Sequence, residues 1–192
     1  MKKILPVIVF GEVLFDIFPE ERHLGGAPFN FALHLHRLGI PIIFVSRIGK
    51  DNLGKEILSF AQKNKFPALG IQSDSEKPTG EVVISPNAFG GPRFEILADR
   101  AYDFIAPDPL LDSLKDLSWV YFGSLAQRNF VSRQTIQKFI KDRKGKGKVV
   151  LDLNLRPPFY NYSIVESSLV HCDLLKVNGQ ELDELKNLLG LQ

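Results

Sequence analysis

The sequence predicts an α/β fold in which a doubly wound, mostly parallel sheet carries helices on both faces. Short, mostly apolar runs such as Ile4 to Phe10 and Val149 to Leu153 are typical of buried strands. The segments between such runs have helical patterning, and Gly and Pro residues separate them. Strands that alternate with helices imply right-handed βαβ crossovers and a sheet covered on both sides.

The composition is that of an ordinary globular protein. The chain has 192 residues, 44% of them hydrophobic, with 24 Lys+Arg against 22 Asp+Glu. A single cysteine, Cys172, excludes a disulfide framework and a Cys-rich zinc site, and it makes a reducing cytoplasm the natural compartment. The net charge of +2 argues against a dedicated nucleic-acid binder, so we expect no nucleic-acid partner.

The first apolar run follows two lysines and so resembles the start of a signal peptide. It ends at Gly11, however, and no small-x-small cleavage site follows, so we expect the first strand of the sheet here. No stretch approaches the roughly 20 apolar residues that a membrane span needs. We therefore expect a soluble protein with no membrane partner.

The elements of the first half follow from stop and cap signals. After a segment of mixed polarity, the Gly25-Gly26 turn opens a helix that runs to Leu38 and is closed by Gly39. Asp51 can cap a second helix. The expected elements are a strand over 42–45 and a helix over about 52–64.

In the middle, an antiparallel excursion interrupts this alternation. Two β-prone runs, Gly80 to Ser85 and Arg93 to Leu97, flank a turn-rich connection of hairpin type. Alternation then resumes. The expected elements are helices near 109–116, 132–143, 163–170 and 180–189, and strands over 119–122, 149–153 and 173–177.

Several enzyme motifs are missing from the sequence. There is no G-x-x-x-x-G-K-[ST] and no G-x-G-x-x-G after the first strand, which argues against a P-loop NTPase and a dinucleotide-dependent dehydrogenase. The histidines lack metal-site spacing. His34 and His36 do not share a helix face, so we interpret them as surface or packing residues.

Candidate site residues lie near the ends of strands, where open α/β sheets bind ligands. Asp16 is either a turn-former or a ligand-facing carboxylate. Gly25 and Gly26 either make a tight turn or allow a ligand to approach closely, with Asn30 in the first turn of the helix that follows.

Two later motifs are also candidates. In Asp152-x-Asn154-x-Arg156, persistent extended geometry would put the three polar side chains on a common side, and Arg156 is suited to clamping phosphate or carboxylate. Asn178 and Glu181 either form a capping box or help to hold a metal ion through water.

Taken together, these segments resemble the ribokinase-like, PfkB-type carbohydrate kinases over the whole chain. The similarity rests on segments that occur in the same order as in that family. They are Gly25-Gly26-Ala27-Pro28-Phe29-Asn30-Phe31-Ala32 closing at Arg37-Leu38-Gly39, Ile48-Gly49-Lys50-Asp51-Asn52-Leu53-Gly54, Lys77-Pro78-Thr79-Gly80, Asp152-x-Asn154-x-Arg156 and Asn178-x-x-Glu181.

The resemblance implies one ribokinase-like domain over residues 1–192, with a small β-lid from about 12–24 and 79–103. Sugar would lie beneath the lid, and ATP with Mg²⁺ at the C-terminal strand ends. The implied substrate-binding residues are Asp16, Gly25, Gly26, Asn30, Asn154 and Arg156. Asn178 and Glu181 would bind the cofactor, and Glu181 would hold Mg²⁺ indirectly, through water.

Within the family, fructokinases are the most similar subfamily and 2-keto-3-deoxygluconate kinases come next. Ala27 stands where ribokinases place a Lys, and Phe122-Gly123-Ser124 replaces their sugar-contacting Glu segment, which disfavours ribose. Fructose is therefore the expected sugar. A homodimer formed through the lid is also possible in this family.

One departure concerns catalysis. The family's Gly-Ala-Gly-Asp segment, which supplies the anion hole and the catalytic base, is absent from these residues. Because phosphoryl transfer depends on positioning and charge stabilisation, we expect a truncated chain that binds sugar but does not phosphorylate it. The alternatives are a non-catalytic sugar-binding or dimerising fragment and a degenerate product without a stable fold.

Overall fold

The computed structural model describes residues 5–86, 91–114, 117–143 and 145–191. The strands of this part of the chain are β1 (Val7–Phe10), β2 (Leu14–Ile17), β3 (Arg22–Gly25), β4 (Ile42–Gly49), β5 (Ile71–Asp74), β6 (Gly80–Pro86), β7 (Pro92–Ile96), β8 (Trp119–Gly123), β9 (Lys148–Asp152) and β10 (Leu174–Lys176). Its α-helices are α1 (Ala27–Arg37), α2 (Asn52–Lys63), α3 (Pro109–Ser113), α4 (Phe130–Asp142), α5 (Tyr162–Leu169) and α6 (Gly179–Leu189). None of these helices is long and apolar enough to cross a membrane.

Six parallel strands form the main sheet in the order β10-β9-β8-β1-β4-β5. Successive residues of β1 point to opposite faces and belong to two separate cores. Val7 and Val9 pack with residues of α1 and α2, whereas Ile8 and Phe10 pack with residues of α4, α5 and α6. The predicted doubly wound sheet with helices on both faces is confirmed.

The strand order reverses at β1. From β1 the chain passes to β4 and β5 on one side, and it later places β8, β9 and β10 on the other. Open α/β sheets bind ligands at the carboxyl ends of the strands next to such a reversal. The crevice between the ends of β1 and β8 is therefore the expected ligand position in this fold.

A second, four-stranded sheet lies in the order β3-β2-β6-β7. Its two outer pairs are antiparallel, and its central pair, β2 and β6, is parallel. The predicted antiparallel pairing of β6 with β7 is present. In register across three strands, Asp16 lies beside Val82, and Val82 lies beside Ile96.

Local signals account for most element boundaries. The Asp51 side chain caps α2 by accepting a hydrogen bond from the Gly54 amide at 2.7 Å. Strand β5 was missed, because Ile71–Asp74 carries three polar residues and lacks an apolar run. The predicted positions Ile4, 87–90 and 115–116 lie outside the described residues.

Candidate functional site

A cavity of about 650 Å³ lies between the carboxyl ends of the main sheet and the second sheet. The main body contributes polar groups to its wall, and the second sheet contributes apolar side chains together with the carboxylates of Asp16 and Glu95. These residues include Glu12, Gly26, Asn30, Asn154 and Arg156 from the body, and Leu14, Asp16, Val82 and Ile96 from the second sheet. The cavity therefore occupies the crevice that the topology favours.

Asp16 reaches the cavity because the period of β2 directs Leu14 and Asp16 to the same face. Burial raises the pKa of the Asp16 carboxyl, while the charges of His23 and Arg156 oppose that change. Gly25 does not line the cavity but lies directly behind Asp16. A Cβ at Gly25 would come within 2.8 Å of an Asp16 carboxylate oxygen, so a side chain there would displace the carboxylate from its present position.

The N-terminus of α1 forms the floor of the cavity. Gly26 is its N-cap residue, with φ of 107°, a conformation that favours glycine. A Cβ at Gly26 would also lie 2.6 Å from the Glu12 carbonyl oxygen. Asn30, in the first turn, is exposed on the cavity wall. The Gly25-Gly26 pair thus begins α1 and also allows the backbone at Gly26 to pack closely against the backbone at Glu12.

The expectation that Asp152, Asn154 and Arg156 share one side is wrong. Strand β9 ends at Asp152, and Asn154 has φ of 39°, so extended geometry does not persist. Asp152 is buried away from the cavity, where it accepts a hydrogen bond from the Tyr121 hydroxyl at 2.6 Å and contacts Lys176 at 2.9 Å. Of these three residues, only Asn154 and Arg156 line the cavity.

Asn178 and Glu181 lie at the start of α6 and do not line the cavity. They form the reciprocal capping box, with the Asn178 side chain accepting from the Glu181 amide at 2.9 Å and the Glu181 carboxylate accepting from the Asn178 amide at 3.0 Å. The other Glu181 oxygen accepts from the Leu155 amide at 3.2 Å. Glu181 thereby connects α6 to the loop that carries Asn154.

Glu12 is a cavity residue that was not predicted from the sequence. Glu12 lies two residues after the end of β1, lines the cavity and is 2% exposed. Burial raises the pKa of its carboxyl to about 7, against the lowering effects of its own amide, the Ala27 amide, Arg156 and Arg128. A carboxylate two residues after an entirely apolar strand, at the strand where the order reverses, is the signal that could have identified it.

A buried ion pair next to the cavity was also missed. Arg128 donates to both carboxylate oxygens of Asp103 at 2.7 and 2.8 Å and to the Leu97 carbonyl at 2.7 Å. Its guanidinium lies over the rings of Tyr102 and Phe159, the latter a cavity residue. The pair therefore connects the loop after β8 to the end of the second sheet and supports one wall of the cavity.

Comparisons with known proteins agree with this architecture. Residues 8–190 match the family described as pfkB family carbohydrate kinase. A putative sugar kinase of Pyrococcus horikoshii is 30% identical over 179 residues, which cover 90% of this chain and 57% of that protein. A probable fructokinase-2 of Arabidopsis thaliana is 27% identical over 199 residues, covering 93% of this chain and 60% of the relative.

Solved structures have the same fold. The crystal structure of the Pyrococcus horikoshii sugar kinase in complex with ATP has a TM-score of 0.83 at 28% identity, covering 97% of this chain and 67% of that one. A fructokinase of Xylella fastidiosa has a TM-score of 0.85 at 22% identity, covering 97% of this chain and 63% of that one.

The chain thus spans 57% and 60% of the length of the two curated relatives. The family match extends over nearly the whole chain, and the fold agrees with it. This chain belongs to the pfkB family of carbohydrate kinases.

Proposed function

We propose that this chain forms the sugar-binding part of an ATP-dependent, fructokinase-like sugar kinase, which in its full-length form transfers the γ-phosphate of ATP to a sugar hydroxyl. The observation that carries the proposal is the convergence of Asp16, Asn30 and Arg156 on one cavity at the topology reversal. Membership of the carbohydrate kinase family supports it independently.

The wall of the cavity suits a small polyhydroxylated ligand. The Asp16 carboxylate accepts hydrogen bonds from hydroxyl groups, and the amides of Asn30 and Asn154 can both donate and accept. Leu14 and Val82 add apolar surface that can cover the carbon skeleton. We assign these polar residues, together with Gly25 and Gly26 as the turn that makes room for them, to sugar binding.

The second sheet is proposed to act as a lid. It contributes Asp16, Val82 and Ile96 to the cavity, so it would cover a sugar held on the main body. Excluding water matters to a kinase because water competes with the sugar hydroxyl for the phosphoryl group.

Arg156 supplies positive charge at the cavity. In phosphoryl transfer, the protein acts mainly by positioning the reactants and stabilising negative charge. The planar guanidinium of arginine is well suited to phosphate oxygens. We place Arg156 close to the sugar or the phosphate that is transferred.

Asn178 and Glu181 are proposed to serve ATP and Mg²⁺. Each Glu181 oxygen accepts one backbone hydrogen bond and retains a lone pair, so the carboxylate can still hold a metal-bound water. These residues therefore fit an indirect role in metal binding. Bound Mg²⁺ would neutralise charge on the phosphate oxygens of ATP.

The catalytic base is proposed to lie outside these 192 residues. The Gly-Ala-Gly-Asp segment typical of the family does not occur in this sequence. In the full reaction, the sugar oxygen forms a bond to the γ-phosphorus, the bond to the ADP oxygen breaks, and the base takes the hydroxyl proton. The same proposal includes fructose as the sugar, a homodimer formed through the lid, and a cytoplasmic location.

The first experiment is to sequence the gene and transcript downstream of the Gln192 codon. A frame that continues through a Gly-Ala-Gly-Asp segment supports the kinase proposal, and the full-length protein should then produce ADP and sugar phosphate from ATP and fructose. An immediate stop, with no activity in the presence of ATP and Mg²⁺, would favour a non-catalytic sugar-binding fragment.

A second experiment tests sugar binding by the 192-residue chain. Its melting temperature is measured with fructose, ribose and 2-keto-3-deoxygluconate. Stabilisation by fructose above the others supports the assignment, because a ligand that binds only the folded state raises its stability. A melting temperature that does not respond to any sugar would contradict it.

A further inference from the structure

Glu12 is a buried carboxylate in the wall of the cavity. It is 2% exposed, and its Oε2 atom has no hydrogen-bond partner among the described residues. A Cβ at Gly26 would lie 3.4 Å from the Glu12 Cγ atom, so the side chain lies against the N-terminal turn of α1. An oxygen that is sealed in this way is not placed to contact a ligand directly.

The surroundings of Glu12 are rich in charge and polar groups. Arg156 and Arg128 lower the pKa of its carboxyl. Burial raises the pKa values of Tyr102 and Tyr121, and the charge of Glu12 adds to that rise. Arg128 is already paired with Asp103. Arg156 lines the cavity together with Glu12, so an ionised Glu12 offsets positive potential that a ligand would otherwise meet.

The charge of Glu12 can change near neutral pH. Burial raises the pKa of the carboxyl to about 7, so the ionised fraction is small at pH 6 and large at pH 8. The other carboxylates on the cavity wall are Asp16 and the exposed Glu95. Partial burial also raises the pKa of Asp16, so a test must separate the titration of Glu12 from that of Asp16.

We propose that Glu12 is a positioning residue whose charge, acting through Arg156, sets the preference of the cavity between an uncharged sugar and a phosphorylated sugar. Ionised Glu12 weakens the attraction of Arg156 for a phosphate group, and neutral Glu12 leaves that attraction intact. A kinase must bind the uncharged substrate and release the anionic product, so an ionised Glu12 favours turnover. This inference rests on the proposed sugar-kinase function.

The test measures ligand affinities of the 192-residue chain by calorimetry at pH 6 and pH 8. The probes are D-fructose, D-fructose 1-phosphate and D-fructose 6-phosphate. The variant is Glu12→Gln, which retains the shape of the side chain but cannot ionise. The matched control is Glu20→Gln, at an exposed residue outside the cavity. The ligand phosphate and Asp16 titrate equally in both proteins. Their effect therefore cancels when the affinities of wild type and variant are compared at the same pH.

At pH 8 we expect the ratio of sugar-phosphate affinity to fructose affinity to be about tenfold higher in Glu12→Gln than in wild type, for at least one sugar phosphate. An effect of this size is what one unit charge produces across a partly polar cavity. At pH 6 the two proteins should agree, and Glu20→Gln should match wild type throughout. Equal preference of wild type and Glu12→Gln at both pH values would overturn the inference while leaving the kinase proposal intact. Absence of fructose binding by wild type would contradict both.

A measurement on the wild-type protein covers the case in which Glu12→Gln does not fold. Carbon-13 NMR of labelled Glu side chains reports the pKa of Glu12 with and without fructose phosphate. Because linkage is reciprocal, a bound anion should raise that pKa. A pKa that is unchanged by a saturating sugar phosphate would also overturn the inference.

Discussion

The carboxylate of Asp51 accepts two hydrogen bonds from Thr79, one from its backbone amide and one from its hydroxyl, each at 2.7 Å. The same carboxylate caps α2 through the Gly54 amide. The Thr79 hydroxyl also accepts from the Gly49 amide at 3.0 Å. Since Thr79 immediately precedes β6, this cluster attaches the second sheet to the main body.

Replacing Asp51 should therefore lower the free energy of unfolding by more than the loss of an ordinary helix cap does. We expect Asp51→Ala to lower the free energy of unfolding by about 2–3 kcal/mol, because a cap and two further hydrogen bonds are lost. Asn129→Ala is a matched control, since Asn129 caps α4 through the Val131 amide, and it should cost about 1 kcal/mol. Urea unfolding measures both. Equal losses would show that the Thr79 hydrogen bonds add nothing.

The same carboxylate predicts an acid dependence of stability. Burial raises the pKa of Asp51, but hydrogen bonds from Thr79 and Gly54 outweigh it and lower the pKa below its ordinary value. The stabilisation is therefore present above the unfolded pKa of about 3.9 and is lost as the pH falls through the folded pKa. Asp51→Asn should reduce the loss of unfolding free energy between pH 5 and pH 3, as measured by urea titrations at each pH. An unchanged acid slope would refute this assignment.

Arg128 and Asp103 form a buried ion pair, so we expect removal of one charge to destabilise the protein more than removal of both. Arg128→Met leaves a buried carboxylate without its partner, which should cost about 3–5 kcal/mol. Adding Asp103→Asn to Arg128→Met removes the stranded charge, so the double variant should be more stable than the single one. Thermal melts of wild type, Arg128→Met and the double variant measure this order of stability. A double variant less stable than Arg128→Met would contradict the prediction.

Asp16 should dominate the recognition of sugar hydroxyls. Asp16→Asn retains the size of the side chain but removes a charged acceptor, so we expect fructose affinity to fall about 10- to 100-fold. Calorimetry with the 192-residue chain gives the ratio directly. Asp183→Asn, at an exposed residue of α6, serves as the control and should bind like wild type. An Asp16→Asn variant with unchanged affinity would remove Asp16 from the site.

The sequence determined the fold class because the information is local. The apolar run that ends at Phe10, the Gly25-Gly26 turn and the Asp51 cap each specify backbone geometry within a few residues. Alternation of strands and helices then restricts the topology to a few arrangements. Polar residues at strand ends accordingly indicated Asp16, Gly26, Asn30 and Arg156 as candidates, and the structure brings these four to one cavity.

Tertiary structure alone decided the features that depend on distant pairs. Asp51 meets Thr79 across 28 positions, and Arg128 meets Asp103 across 25. Asp152 turns to Tyr121 because β9 lies beside β8, while the positive φ of Asn154 redirects the chain toward the cavity. The burial of Glu12 follows from the packing of α1 against the end of β1. Strand order and register determine such contacts, and no local pattern of residues encodes them.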